Sequence, residues 1–328
     1  MSPEADDLDP LLPDVFASAG RVSWLEPRLP ADVFLMPEAV AERPSTMIGV
    51  AARRRARRHE QGTLRPGAIL DKYRIEELLG VGGFAVVYRA THMLLRVPVA
   101  LKLLRADVVA RRPSLAAQLL QEARFAARID HPNVVKVFDV THTEHITYIV
   151  MEFIRGVSLS RLIDERGQLP PAMVVRLGVD VAAGLAAGLD QGLIHRDIKP
   201  ANILLTAAGT ARIVDLGLAN PVDPGQDDGP LRNAALVGTR GYMSPEQIRE
   251  PRSVDFRSDI YSLGVTLREA ATGVSPSSRN RDVVARAPTA ELDRLLSWMV
   301  APDPDDRPGS YGELQEALRA IRLDDAAR

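Results

Sequence analysis

His195-Arg196-Asp197-Ile198-Lys199-Pro200-Ala201-Asn202 sets an acid, a lysine and an amide at fixed offsets. Eighteen positions after Asp197 stands Asp215-Leu216-Gly217, a second acid followed by glycine. Side chains of these types suit phosphoryl transfer. Asp197 can accept a proton from an attacking hydroxyl, and Lys199 can neutralise charge on the moving phosphate. Asn202 and Asp215 can hold magnesium. Each fragment alone is common by chance; their order and spacing together carry the reading.

Upstream, Gly80-Val81-Gly82-Gly83-Phe84-Ala85-Val86-Val87 lies between two predicted strands, not between a strand and a helix. That context argues against a dinucleotide-binding turn. Small residues there let backbone N–H groups approach phosphate oxygens closely. The plainer reading is a hairpin turn. The next predicted strand carries Val99-Ala100-Leu101-Lys102, whose ammonium could reach the same phosphates. Glu122 follows on a predicted helix, as a partner for Lys102 or as one more charge on an exposed face.

The elements that must position these groups fall into two blocks. Period-two patterning predicts strands over 73–79, 86–90, 97–104, 134–140 and 146–153, interrupted by one helix over 115–129. From Leu159 onward helical spacing dominates, over 159–165, 171–190, 258–272, 289–300 and 311–322. A small β-rich lobe followed by a larger helical lobe is an α+β arrangement, not a chain of βαβ units. Residues 1–65 hold Pro3, Pro10, Pro13, Pro27, Pro30, Pro37 and Pro44 without sustained periodicity, and read as a largely disordered leader. Within it, Arg53 to His59 is a basic block, either a solvated charge run or a contact for an acidic partner.

Composition narrows the classes further. The chain has 328 residues, 46% of them apolar, enough for one large bilobal unit. It has no cysteine, which removes disulfides, thiolate catalysis and cysteine-bound zinc. The net charge of −2 gives no reason to expect a nucleic-acid partner. The acidic N-terminal residues lack a signal peptide's apolar core, no membrane span is expected, and no anchor is expected after Arg328. A reducing, cytoplasmic setting is the expectation.

From Tyr73 to Arg322 these motifs occur in the order of a known family. The chain resembles the eukaryotic-like (Hanks-type) serine/threonine protein kinases of bacteria. The resemblance implies the bilobal kinase fold, with a small lobe over about 73–154 and a large lobe over about 155–322, in a domain spanning 66–325. It implies ATP with Mg2+ (Mn2+ as the alternative) and protein substrates bearing serine or threonine. Gly80, Gly82 and Gly83 would cover the phosphates. Val87, Ala100 and Leu204 would sandwich the adenine. Met151 would be the gatekeeper, with Glu152 and Ile154 presenting hinge backbone groups. Lys102, held by Glu122, would bind the α- and β-phosphates. Asp197 would be the base, Lys199 a γ-phosphate contact, and Asn202 and Asp215 the metal ligands. Ser244-Pro245-Glu246 resembles the end of an activation segment, with Glu246 paired to Arg307 and Asp259 anchoring the catalytic loop. Thr239 would line the substrate groove. The residues do not give the oligomeric state.

Four departures stand out. Ala85 replaces the third glycine, and Leu216 replaces the phenylalanine of the usual Asp-Phe-Gly. Residues 216–237 hold no serine, threonine or tyrosine, although Arg196, the residue that usually meets an activation-loop phosphate, is present. Asp223, Asp227 or Asp228 could take the phosphate's place; alternatively the loop is a flexible acidic segment and Arg196 pairs elsewhere. Last, 273–291 is short, so the family's docking helix there is expected to be missing or cut to one turn. The alternative functions are a nucleotide-binding pseudokinase scaffold and a small-molecule kinase.

Overall fold

The computed structural model describes residues 64–111, 114–143, 146–215, 240–250, 254–276 and 286–322; within 114–126 the side chains of Ser114, Leu115, Gln118 and Glu122 are outside that description. The sheet of the small lobe contains β1 (Ile69–Leu70), β2 (Tyr73–Val81), β3 (Ala85–His92), β4 (Val97–Leu104), β5 (Val137–His142) and β6 (Thr147–Glu152). The strand order is β1-β2-β3-β4-β6-β5, every pair antiparallel. Between β4 and β5 lie α1 (Ala106–Arg111) and α2 (Ser114–Ala126). Ala116, Leu119, Ala123 and Ala126 of α2 are buried, at the three-to-four-residue spacing of one helical face.

One face of this sheet carries the small lobe's apolar cluster. Tyr73, Ile75, Tyr88, Leu101, Tyr148 and Val150 form an apolar cluster on one face, against which Leu64, Ala68 and Leu70 pack. The Leu64 N–H donates to the Tyr88 hydroxyl at 2.9 Å, and the Gly67 N–H to the Ile75 carbonyl at 2.8 Å. Leu64 was read from sequence as leader, yet it is already packed on the lobe. Residues 1–63 are outside the described residues.

In the large lobe, β7 (Gly156–Ser158), β8 (Ile203–Thr206) and β9 (Ala211–Ile213) form a three-stranded antiparallel sheet. Its helices are α3 (Leu159–Arg166), α4 (Pro171–Asp190), α5 (Pro245–Arg249), α6 (Arg257–Thr272), α7 (Ala290–Met299) and α8 (Tyr311–Ala320). By length and composition α4 is apolar enough to cross a membrane, a test that core helices also pass. Here its Val174, Leu177, Val181 and Leu185 are buried. At Gly178 an added Cβ would stand 3.0 Å from Leu267 of α6 and Leu318 of α8, so glycine lets three helices meet closely.

The long periodic elements fall within a few residues of their predicted bounds. The elements not anticipated are short: β1, β7, β8, β9, α1 and α5 span two to six residues, too few for a period to register.

Candidate active site

Register decides which small-lobe residues face the large lobe. Cross-strand partners share a face. Val87 pairs Lys102, Lys102 pairs Ile149, and Ala100 pairs Met151. Residues two apart on a strand also share a face, so Val87, Ala100, Lys102 and Met151 lie together. Their neighbours Tyr88, Leu101 and Val150 point into the opposite cluster. The sheet thus presents an apolar ceiling with one ammonium in it. Lys102 is buried, and its Nζ lies 2.9 Å from Oδ1 of Asp215. The expected Lys102–Glu122 pair involves a side chain outside the described residues.

The glycine turn is tighter than expected. Gly80 belongs to β2, opposite Val87, so the turn proper is Gly82–Phe84. The Gly82 N–H donates to the Ala85 carbonyl at 2.8 Å, and a Cβ on Gly82 would meet that oxygen at 3.2 Å. Ala85 is buried and opens β3, where a methyl group is accommodated.

Residues 195–202 are held from the large lobe. Asp259, fully buried on α6, accepts from the N–H groups of His195 and Arg196, both at 2.7 Å. Burial pushes its carboxyl up, against those two donors. Arg196 adopts φ 63°, a left-handed conformation uncommon outside glycine. Its backbone is fixed on both sides: Asp259 takes the N–H, and the carbonyl accepts from Nε2 of Gln247 at 3.0 Å. The Arg196 guanidinium makes no hydrogen bond or ion pair among the described residues. The Asp197 side chain then turns toward Lys199, whose Nζ lies 3.0 and 2.8 Å from its two oxygens. Asn202, in a single 3-10 turn over Pro200–Asn202, donates from Nδ2 to the Asp197 carbonyl at 2.8 Å and to Oδ2 at 3.0 Å.

That amide orientation leaves the Asn202 side-chain oxygen directed away from Asp197. The Asn202 backbone carbonyl accepts from the Val214 N–H at 3.0 Å, which sets Asp215 beside this turn. Burial alone would raise the Asp215 carboxyl; the Lys102 ammonium outweighs it and holds the group below the usual carboxylate range. Asp215 is therefore an anion at neutral pH, with one third of its side chain accessible.

Below the ceiling, Leu204 alternates with the fully buried Ile203 and Leu205, so it points to the opposite side of β8 and is only half-buried. Glu152 ends β6 and Ile154 follows in the connection to β7, both half-buried. The Glu152 carboxylate pairs with Arg212 on β9.

Nearby, Glu246 and Arg307 form a two-pronged pair, with N–O distances of 2.6 and 2.9 Å. Arg307 also donates to the carbonyls of Ala301, Arg257 and Pro302, and Ser258 donates to Glu246 at 2.7 Å. The Arg307 guanidinium is thus paired and multiply hydrogen-bonded, the condition under which a buried charge is tolerated.

Three residues of this assembly were not anticipated: Gln247, Arg212 and Asn133, whose amide donates to the Ala211 carbonyl at 2.9 Å. Gln247 had a signal, because Ser244-x-x-Gln247 spells a helix capping box. Arg212 and Asn133 had none. Leu216, Asp223, Asp227, Asp228, Gly238 and Thr239, and residues 277–285 of the short 273–291 segment, are outside the described residues.

The profile of the protein kinase domain matches residues 73–319. The serine/threonine-protein kinase PknB of Mycobacterium tuberculosis is 35% identical over 274 residues, covering 77% of this chain and 43% of that protein. PknB of Mycobacterium leprae is 38% identical over 278 residues with the same coverage. The chain thus spans less than half the length of these curated relatives. Among solved structures, the kinase domain of Mycobacterium tuberculosis PknI aligns with TM-score 0.64 and 27% identity, over 78% of this chain and 98% of that one. With its β-sheet small lobe and helical large lobe, this chain belongs to the protein kinase domain family, among the bacterial Hanks-type serine/threonine kinases.

Proposed function

We propose that this chain is an active serine/threonine protein kinase, transferring the γ-phosphoryl of Mg-ATP to protein hydroxyls. The carrying observation is that the Lys102–Asp215 pair and the Asp197–Lys199–Asn202 set are brought side by side by the Val214 N–H bond to the Asn202 carbonyl. Such transfer needs little covalent help from the protein, so positioning and charge account for most of the rate.

Asp197 orients the attacking hydroxyl and takes its proton. Lys199, now on Asp197, has the reach to move its charge toward the transferring group. Lys102 holds the α- and β-phosphates under the glycine turn. Val87, Ala100 and Leu204 flank the adenine; Met151 limits the depth of its pocket, and the backbone of Glu152 and Ile154 reads its edge. Asn202 and Asp215 fit magnesium: one amide oxygen and one anionic carboxylate suit a hard ion that keeps water and phosphate oxygens as its other ligands. Bound there, the ion would neutralise phosphate charge. Among the described residues no cluster of three or more acidic, histidine or cysteine groups offers a dedicated metal cage. Glu122 is the proposed second partner of Lys102.

In this reading the kinase domain spans 66–325 after a leader over 1–65, acts in the cytoplasm, and uses α4 as a core helix. It needs no phosphorylation within 216–237, where no hydroxyl exists. An aspartate among 223, 227 and 228 serves Arg196 instead. Unchanged turnover of the unphosphorylated triple alanine variant would remove that last element.

The main test is transfer from labelled ATP to a basic protein, beside Asp197→Asn. Transfer by the parent and not by the variant supports the reading. Nucleotide binding without transfer in both would make the chain a scaffold.

A further inference from the structure

We infer that Gln247 is a positioning residue for the catalytic base, coupling the end of the activation segment to the peptide bond that precedes Asp197. The inference rests on the kinase reading for its catalytic consequence, but its structural basis is independent of that reading.

Gln247 makes both kinds of contact its amide allows. Its Oε1 accepts from the Ser244 N–H at 2.9 Å, while the Ser244 hydroxyl accepts from the Gln247 N–H at 3.3 Å. This reciprocal pair caps α5. Because the Ser244 N–H requires an acceptor, the amide has only one orientation, with its N–H2 turned outward. That N–H2 meets the Arg196 carbonyl at 3.0 Å.

The acceptor it reaches is a consequential one. Arg196 stands at φ 63°, a conformation that survives only where its surroundings fix it. Its carbonyl belongs to the Arg196–Asp197 peptide, and rotation of that peptide swings the Asp197 side chain. Asp259 restrains the N–H side of Arg196 and Gln247 the carbonyl side. The two restraints come from different helices. Asp259 is deep in α6, whereas α5 directly follows the activation segment and is seated by Glu246 on Arg307. Adjacent side chains of α5 therefore do opposite jobs: Glu246 ties it to the lobe, and Gln247 reaches to the base. A shift of α5, as when a peptide seats on the segment before it, would be felt at Asp197 through a single side chain.

Glutamate separates the two roles. Gln247→Glu keeps an acceptor for Ser244 and the usual capping-box residue, but sets oxygen against the Arg196 carbonyl. Gln247→Met removes both contacts without adding charge. In Gln247→Glu, turnover should fall roughly ten-fold with KM for ATP within about two-fold, because a small misplacement of a catalytic group is costly while nucleotide contacts are untouched. Amide exchange across 195–199 should quicken in both variants, whereas across 245–249 it should quicken only in Gln247→Met. Should Gln247→Glu not fold, exchange across 195–199 in Gln247→Met decides. Unaltered exchange there overturns the inference, as does unaltered turnover of a folded Gln247→Glu beside an active parent. A parent without transfer, but with quickened loop exchange in the variants, would remove the kinase reading and leave the structural coupling standing.

Discussion

The buried pair between Glu246 and Arg307 should make acid stability depend on one carboxylate. Burial works to raise the Glu246 carboxyl, but hydrogen bonds from Arg307 and Ser258 hold it at about 2, against an ordinary value of 4.5. A carboxyl whose folded value is depressed gives stability that is fully present above its unfolded value and lost as pH falls through the folded one. The window therefore runs from about pH 4.5 down to about pH 2. A shift of about 2.5 units corresponds to about 3 kcal/mol across that window. With 16% of the Glu246 side chain exposed, screening by solvent takes little of this away. By about pH 3.5 the linkage relation gives a loss of about 1.4 kcal/mol.

Other carboxylates titrate in the same range, so the informative quantity is the difference between the parent and Glu246→Gln. At neutral pH the variant leaves Arg307 without its counter-charge, and the cost should be about 3–5 kcal/mol. That gap should narrow on acidification by about 1.4 kcal/mol at about pH 3.5, which equals about 3–5 °C in melting temperature for a domain of this size. Denaturant melts of both proteins at several pH values measure it. If the two stability curves run parallel from about pH 6 to about pH 3.5, Glu246 titrates normally in the folded state and the pair is not the anchor of α5.

Three further outcomes follow from the geometry. Lys102→Met removes the charge beside Asp215; kcat/KM for phosphoryl transfer should fall by about 10²-fold or more in a steady-state assay, with the fold retained by far-UV dichroism. Gly156→Ala sets a Cβ 2.2 Å from the Leu205 carbonyl, so β7 must part from β8, and chemical denaturation should show a loss above about 1 kcal/mol. Gly80→Ala, which meets nothing within 4 Å, is its matched control and should stay within about 0.5 kcal/mol. Tyr88→Phe frees the Leu64 N–H; thermal melts should fall by about 2–4 °C, corresponding to about 1 kcal/mol.

What the sequence disclosed divides along a physical line. Asp197, Lys199, Asn202 and Asp215 could be singled out because residue type and chain spacing suffice to mark them, and the structure brings them together. Lys102 was legible because a lysine among apolar strand residues is unusual. The long strands and helices were legible because a hydrophobic face repeats over many residues. The ties between segments were not. Arg212 meets Glu152 across 60 positions and Asn133 meets Ala211 across 78, and nothing local to either chain segment marks the encounter. Strand β7 likewise pairs with β8 about 50 positions away, while β8 and β9 form a local hairpin of four and three residues, too short for a period to register. The Leu64–Tyr88 bond shows the same limit at the domain edge: a proline-rich approach with no period can still end on a defined contact.

These remote ties also join small-lobe residues to the segment before Asp215. At the rear, the strand before Asp215 is bound into the segment that leads to β5. The Ile213 N–H donates to the Asn133 carbonyl at 2.8 Å, the Val135 N–H donates to the Ile213 carbonyl at 2.9 Å, and the Asn133 amide adds a third bond. Arg212 and Glu152 add a charge pair at the hinge. At the front, among the described residues, the span from β4 to Asp215 is crossed by the Lys102 pair alone. Three hydrogen bonds and an ion pair therefore join the 133–152 stretch to β9, and among the described residues one ion pair joins β4 to Asp215. Lys102 and Asp215 thus carry both a tie between β4 and the segment after β9 and the charge balance of the candidate site, so a substitution that removes either charge alters the two together.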